Sequence, residues 1–413
     1  MNRLNLGKDL YIKGRIGWRG LNKNEYLSSS EYRIINATAL MDRYIDWDNC
    51  GYISKERFEE SKEIMLKEED ILISKDGTIG KIGYVKNLKV PCTVASGIFV
   101  VRNICKEKID SDYLYHLLKS NIFKDFIRRN KSEGSTINHL YQRDLENFEI
   151  TLPSLSEQKK ISNLLNIIDE EIKLKDSFVK DTEETIKNIF TRWFMEYKID
   201  SQNNCELIYD ENMKINIPKD WRVLKLSEIE PNIITGKTPS TKNPDNFGGN
   251  IPFVTIDDIR NGTYIVSSAK TLSKIGADSQ KNKYLPIDSI CVTCIATVGL
   301  CGLTTKISQT NQQINSIVCK EEYNKFYLLN YLKNYFSAND SAKNGNIFKN
   351  MNKDDFSSIY VIYPRKEDLI KFYNYVKSFY DIIKSNLIQI NELNELKKSL
   401  LPLLMNGQIK IED

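Results

Sequence analysis

The sequence offers little for covalent chemistry. His116 and His139 are its only histidines, one in an amphipathic helical pattern and one in a basic loop, and neither has a catalytic partner in sequence. Cys291 and Cys294 form a Cys-x-x-Cys, but in the apolar β-branched run Ser289-Ile-Cys-Val-Thr-Cys-Ile-Ala, with no second pair and no nearby histidine. That pattern predicts a buried strand rather than a zinc or redox site. Asp76-Gly-Thr-Ile-Gly80-Lys81-Ile82 is only superficially like a phosphate loop: Lys75 stands where the first glycine belongs, and Ile82 where a hydroxyl must meet magnesium. No two prolines are adjacent, which removes the Asn/Asp-Pro-Pro-aromatic motif of an amino-methyltransferase. Glu-x-Lys occurs at Glu60, Glu157, Glu171 and Glu395, the last three in long helical patterns where solvated charge is the better reading.

The other chemistry is recognition of polyanions. Arg3, Lys8, Lys13, Arg15 and Arg19 face a single acid, Asp9, in the first twenty residues. Lys119, Lys124, Arg128, Arg129, Lys131 and Arg143 outweigh Asp125 and Glu133 further on. A later stretch carries Lys333, Lys343, Lys349 and Lys353 against Asp340, interleaved with Asn339, Asn344, Asn346, Asn350 and Asn352. Lysine and arginine suit phosphates, while Asn, Gln and Arg can pair with adenine and guanine edges. A solvated loop would have a similar composition; the weight comes from finding such stretches at matching places in two halves of the chain.

Those groups need elements to position them, and composition bounds the elements. The chain has 413 residues, 59 Lys and Arg against 55 Asp and Glu, a net charge of +4, 41 % hydrophobic and 28 % charged residues. A length above 400 exceeds one usual core, so two domains or one duplicated domain are expected. Near-neutrality excludes a polybasic protein, so any electrostatic site is local. There is no apolar leader and no run of eighteen apolar residues, which predicts a cytoplasmic protein.

Self-similarity organises the rest. Thr78, Gly80 and Gly83 lie 219 residues before Thr297, Gly299 and Gly302, and the same offset lays Tyr32-Arg-Ile-Ile-Asn over Ile251-Pro-Phe-Val-Thr. Downstream, Gly134, Asp144 and Pro153 match Gly345, Asp355 and Pro364 at an offset of 211. The chain reads as a tandem duplication of a mixed α and β unit, each copy ending in a long helix. The short helices Asp112–Lys119 and Tyr327–Lys333 precede a basic loop in each copy.

After Pro153, Ser154-x-x-Glu157 reads as a capping box. Apolar residues then follow in alternating steps of four and three at Ile161, Leu165, Ile168, Ile172, Val179, Ile186, Ile189 and Trp193, with Lys175 and Thr182 in the gaps. Adding 211 gives Phe372, Val376, Phe379, Ile383, Asn386, Ile390, Leu393, Lys397, Leu400 and Leu404. Two heptad seams predict an antiparallel coiled coil, with polar Lys175 and Asn386 at the same seam position. Over 33 residues such a rod would be about 48 Å long, a spacer of roughly 14 base pairs. The second helix is predicted to stop near Pro402 and Asn406-Gly407.

At these residues the sequence resembles the specificity subunit of type I restriction-modification enzymes. The matching stretches are Gly236-Lys237-Thr-Pro-Ser240 with Asp245-Asn-Phe-Gly-Gly-Asn-Ile-Pro-Phe-Val-Thr-Ile-Asp-Asp258, then Asp70 to Gly80, Thr310-Asn-Gln-Gln-Ile-Asn315, and Leu152-Pro-Ser-Leu-Ser-Glu-Gln-Lys-Lys-Ile161. The first copy departs from it with Ile16-Gly-Trp18-Arg19-Gly in place of Gly-x-Thr-Pro, and the second helix begins Pro364-Arg-Lys-Glu without Leu-Ser-Glu-Gln. The resemblance implies an α+β chain in which two target-recognition domains each read half of a split, asymmetric DNA site. It also implies helices that set the spacing and dock adenine methyltransferase subunits, and motor-nuclease subunits that join. S-adenosylmethionine, ATP and magnesium would belong to those partners, and this chain would hold no metal or cofactor.

The expected bounds are a first recognition domain at 1–153, a helix at 154–198, linker and second recognition domain at 199–364, and a second helix at 365–413. DNA contacts are expected from Trp18, Arg19, Lys75, Arg128, Arg129, Lys131, Ser135, Thr136, His139 and Arg143 in the first domain. In the second they are expected from Lys237, Thr238, Ser240, Lys242, Lys343, Asn346, Lys349 and Asn350. The alternatives are a fused or solitary modification or restriction enzyme, and a coiled-coil scaffold that does not touch DNA.

Overall fold

A computed structural model describes residues 2–15, 20–40, 45–130, 139–199, 206–341 and 350–412. Its chain divides into two compact units, Met1–Ile172 with Leu393–Asp413, and Lys173–Glu392. Both are mixed α and β, so the fold class is α+β as expected.

In the first unit the strands Leu10–Gly14, Ile98–Asn103, Ile71–Ser74 and Ile82–Tyr84 form one antiparallel sheet in that order. Ile71, Leu72, Ile73, Val100 and Val101 are β-branched or apolar and buried on both faces, which is why the run is unbroken by polar residues. Tyr32–Ile35 pairs antiparallel with Gly51–Ile53 and parallel with Cys92–Val94. Asn2–Asn5 pairs with Glu149–Leu152, the strand that leads into the first long helix.

The second unit repeats this plan. Ile233–Thr235, Ile314–Ile317, Ile290–Thr293, Cys301–Thr304 and Tyr264–Ile265 make a five-stranded sheet, and Phe247–Val254 lies between Lys270–Leu272 and Gln309–Thr310. Arg222–Lys225 pairs with Tyr360–Tyr363 ahead of the second long helix. The parallel register Ile34↔Thr93 has its counterpart in Phe253↔Gln309, the first member of each pair shifted by 219 as the sequence alignment requires. The backbone repeats too: Glu69, Gly77 and Gly80 have positive φ, as do Asp288, Ala296 and Gly299, again 219 residues on.

The first long helix runs Leu155–Phe190, with Ser154 Oγ accepting from Glu157 N at 3.2 Å as its cap, and passes into a π-turn at Thr191–Met195. The second runs Lys366–Met405 and carries Pro402 inside its last turn, with Gly407 at φ +67° two residues beyond its end. In the first unit Ile161 and Leu165 share a core with Leu404 and Met405, and Lys397 pairs with Asp169. In the second unit Ile186, Phe190 and Phe194 share a core with Phe372, Val376, Tyr380 and Ile383. In the first unit rising numbers on one helix meet falling numbers on the other, so the pairing there is antiparallel.

Among the expected seam residues, Ile161, Leu165, Ile168, Ile172, Val179, Ile186, Phe372, Val376 and Ile383 are buried, while Phe379, Ile390, Lys175 and Asn386 are half-buried. Asn386 Nδ2 bonds back to Ile382 O at 2.9 Å. At the end of the first helix the buried positions shift by one residue to Phe190 and Phe194, and in the middle of the second Tyr380 and Leu387 are buried in place of the expected Phe379 and Asn386. These four side chains belong to the core of the second unit, so there the helices pack on their own globular unit as well as on each other.

Two further expectations are corrected. The first short helix is followed by another, Asn121–Arg129, so Lys124, Arg128 and Arg129 stand on a helix and not in a loop. The second short helix extends over Asn324–Ser341, and Lys333 on it donates to Thr263 Oγ1 at 2.7 Å. Among the described residues no helix is long and apolar enough to cross a membrane.

Candidate nucleic-acid interface

The Thr-x-Gly turn is built the same way in both units. Ser74 Oγ accepts from Lys81 N at 2.9 Å and Gly80 N donates to Ser74 O at 2.9 Å; Thr293 Oγ1 accepts from Leu300 N at 3.0 Å and Gly299 N donates to Thr293 O at 2.8 Å. The residue just before each turn is held between two other stretches of chain. In the first unit Lys75 N donates to Gly97 O at 2.8 Å and Leu140 N donates to Lys75 O at 3.0 Å, and in the second Cys294 N donates to Gln313 O and Met351 N to Cys294 O, both at 2.8 Å. Asp76 forms an isolated bridge with His139, and Ile295 with Asn350. Three passages of main chain, distant in sequence, therefore lie side by side at one place in each copy.

Different side chains decorate these places. In the first unit His139 Nδ1 bonds to Asp76 Oδ1, both residues partly exposed. Tyr141 meets the His139 ring edge-on at 4.7 Å between centroids, and the Arg143 guanidinium lies 5.0 Å over the Tyr141 ring with its head in solvent. Lys75 is half-buried with its Nζ 5.0 Å over the Phe99 ring, and burial holds its pKa below the usual lysine value. Arg128 and Arg129 are exposed at the end of their helix, Arg128 paired with Asp125 at 2.9 Å.

In the second unit Gly236 lets two loops touch: a Cβ there would sit 2.1 Å from Asn311 O. Lys237 N donates to Thr310 O at 2.9 Å and Gly236 N to Ile314 O at 3.0 Å. Beneath them buried Gln280 donates to Lys237 O and to Gln309 Oε1, both at 2.7 Å. On top, Thr238 Oγ1 donates to exposed Gln312 Oε1 at 2.7 Å. Lys237, Ser240 and Lys242 are exposed along the same stretch of chain as Thr238, and Asn350 is exposed beside Ile295. The amide of Gln312 is thus fixed in direction on a rigid support, among lysines that can meet phosphates.

Of the residues expected at DNA, Trp18, Arg19, Lys131, Ser135, Thr136, Lys343, Asn346 and Lys349 lie outside the described residues. The structure brings Lys75 and His139 to one place in the first unit, with Arg143 close by through Tyr141, and Lys237 and Thr238 together in the second. Arg15 is corrected: it is only 2 % exposed, its Nε donating to Val94 O at 3.1 Å, so it supports the fold and cannot belong to a basic surface. Sequence reasoning passed over Asp76 and Gln312. Both stood inside the quoted motifs, but what aims them comes from 63 and 74 residues away.

Cys291 and Cys294 are buried at the sheet, their thiols pushed up by burial to about 12 and about 11, as the strand reading expected. Among the described residues no group of His, Cys, Asp and Glu could hold a metal ion.

Comparison with known proteins agrees with this duplicated plan. The family described as "Type I restriction modification DNA specificity domain" matches residues 16–178 and again 218–398. The chain is 28 % identical over 403 residues to the type I restriction enzyme HindI specificity subunit of Haemophilus influenzae, covering 83 % of this chain and 87 % of that one. It is 27 % identical over 381 residues to the MjaIX specificity subunit of Methanocaldococcus jannaschii, covering 89 % and 86 %. The crystal structure of a type I restriction-modification S subunit from M. genitalium aligns over 97 % of this chain and 95 % of that one, with a TM-score of 0.59 at 14 % identity, a likeness of fold. With its family match repeated once in each copy, the chain belongs to the specificity subunits of type I restriction-modification systems.

Proposed function

We propose that this chain reads a bipartite, asymmetric DNA site, residues 1–153 taking one half and residues 199–364 the other, and that it catalyses nothing itself. The observation that carries the reading is the repeated three-passage junction: one main-chain construction, two different sets of outward side chains, each near basic residues. Two such heads in one chain suit two unlike half-sites. The long helices would set the spacing and dock adenine methyltransferase subunits, with restriction subunits joining the assembly. S-adenosylmethionine, ATP and magnesium would be held by those partners, and the complex would work in the cytoplasm.

Phosphate contacts from Lys75, Arg128, Arg129, Lys131, Arg143, Lys237, Lys242, Lys343 and Lys349 would supply most of the affinity. Base contacts would come from the amide, imidazole and hydroxyl groups between them. The test is to map methylated adenines in the host genome with and without this gene. A split motif that vanishes on deletion is expected; an unchanged methylation pattern, with no preference for split over random duplexes in gel-shift competition, would overturn the reading in favour of a scaffold. Methylation by the isolated chain would overturn it in favour of an enzyme.

A further inference from the structure

We infer that the three-passage junction is the base-reading surface of both copies, and that Asp76 with His139 in the first unit, and Gln312 with Asn350 in the second, set the specificity of the two halves. This rests on the DNA-recognition reading above and names the residues that perform it.

The junction is held by its backbone. The bonds Lys75 N to Gly97 O and Leu140 N to Lys75 O recur as Cys294 N to Gln313 O and Met351 N to Cys294 O, whichever side chains are attached. Where folding does not use a side chain, the side chain is available for recognition, and at these places the two copies carry different chemistry. Position by position, Asp76 becomes Ile295, His139 becomes Asn350, and Ser96-Gly97 becomes Gln312-Gln313. Asp76, His139, Ser96, Gln312 and Asn350 all reach solvent.

The donor and acceptor patterns differ accordingly. Gln312 Oε1 accepts from Thr238 and keeps a second lone pair, while its Nε2 keeps two donors. That acceptor beside a donor matches the N6 amino group and N7 of adenine in the major groove. In the first unit one carboxylate oxygen of Asp76 is taken by His139, and the other offers an acceptor of the kind that meets the cytosine N4 amino group. Lys237 lies beside the second junction and Arg143 beside the first, where phosphates of the same groove would lie.

The experiment selects duplexes from a pool with two randomised blocks at varied separation, using the full chain in complex with its methyltransferase partner. The wild type should enrich a split motif. Gln312→Ala should remove an adenine preference in one half only, by roughly 5- to 150-fold, the size of one bidentate base contact. Gln312→Glu should move that position toward cytosine. The pair Asp76→Ile and His139→Asn should change the other half only. An unchanged motif in these variants, or a uniform loss across all sequences, would overturn the assignment while leaving DNA recognition intact. Should the wild type enrich no split motif, the functional reading itself would fall.

Discussion

His116 Nε2 lies 2.8 Å from Asn166 Oδ1, and at the matching place in the second unit Asn330 Nδ2 donates to Tyr380 Oη at 2.7 Å. Both bonds tie a short helix to the long helix that follows its own domain. In the first unit the chain of bonds continues, Asn166 Nδ2 donating to Asp112 Oδ2 at 2.8 Å, so the Asn166 oxygen faces His116 and the imidazole donates through Nε2.

That arrangement makes the first unit sensitive to acid. Burial, followed by the nearby Lys397 charge, lowers the His116 pKa to about 4, with Asp169 opposing and Lys119 reinforcing the shift. Between pH 6.5 and 4 the unfolded chain takes up a proton that the folded chain refuses, so stability falls as pH drops through that window, by up to about 3 kcal/mol at its lower end. His116→Asn, which installs the side chain used by the second copy, should flatten the denaturation midpoint between pH 6.5 and 4. A midpoint that keeps its slope in the variant would assign the acid sensitivity elsewhere.

Ala296 holds φ +65° at the turn position where the first copy has Gly77. A Cβ in the left-handed region costs roughly 1 kcal/mol, and glycine does not incur that cost. Ala296→Gly should raise the stability of the second unit by up to about 1 kcal/mol, read by chemical denaturation, and Gly77→Ala should lower that of the first by a similar amount.

Arg102 binds the fully buried Asp70 through two bonds, Nε to Oδ1 at 2.6 Å and Nη2 to Oδ2 at 2.7 Å, while Lys67 N donates to the same carboxylate at 2.7 Å. Arg102→Leu leaves a buried charge without its partner and should cost about 3–5 kcal/mol. Adding Asp70→Asn should recover part of the loss. A double variant no better than the single would show that packing of the guanidinium, and not its charge, is what matters.

Arg128 and Arg129 end a helix with both heads in solvent. If they meet phosphates, Arg128→Ala with Arg129→Ala should weaken DNA binding for all sequences alike. It should also reduce the slope of log affinity against log salt by up to about 2, near one unit per lost phosphate contact. An unchanged slope removes the pair from the interface.

Much of this is legible in the sequence. The 219-residue offset that aligned Thr78 with Thr297 reappears as matching positive-φ residues and matching strand register, because motifs that demand a special backbone carry their geometry in the sequence. The long helices are legible from periodicity; the burial of Phe190 and Tyr380 is not, since it comes from the globular core of the second unit, whose residues are remote in sequence. Arg15 read as surface charge because its acceptors, Val94 O and the hydroxyls of Ser61 and Thr93, arrive from at least 46 residues away. Asp76 was overlooked for the same reason: nothing adjacent in sequence announces His139.

Anchoring the three-passage junction through amide and carbonyl groups has an evolutionary corollary. A mutation at Asp76, His139, Gln312 or Asn350 leaves the main-chain bonds of the junction in place, so a target preference read there would drift without an accompanying search for folding compensation. Tandem doubling would widen that freedom, because either copy could change its preference while the other preserved its own. Diversification against rapidly changing foreign DNA would then require single codons, not new architecture.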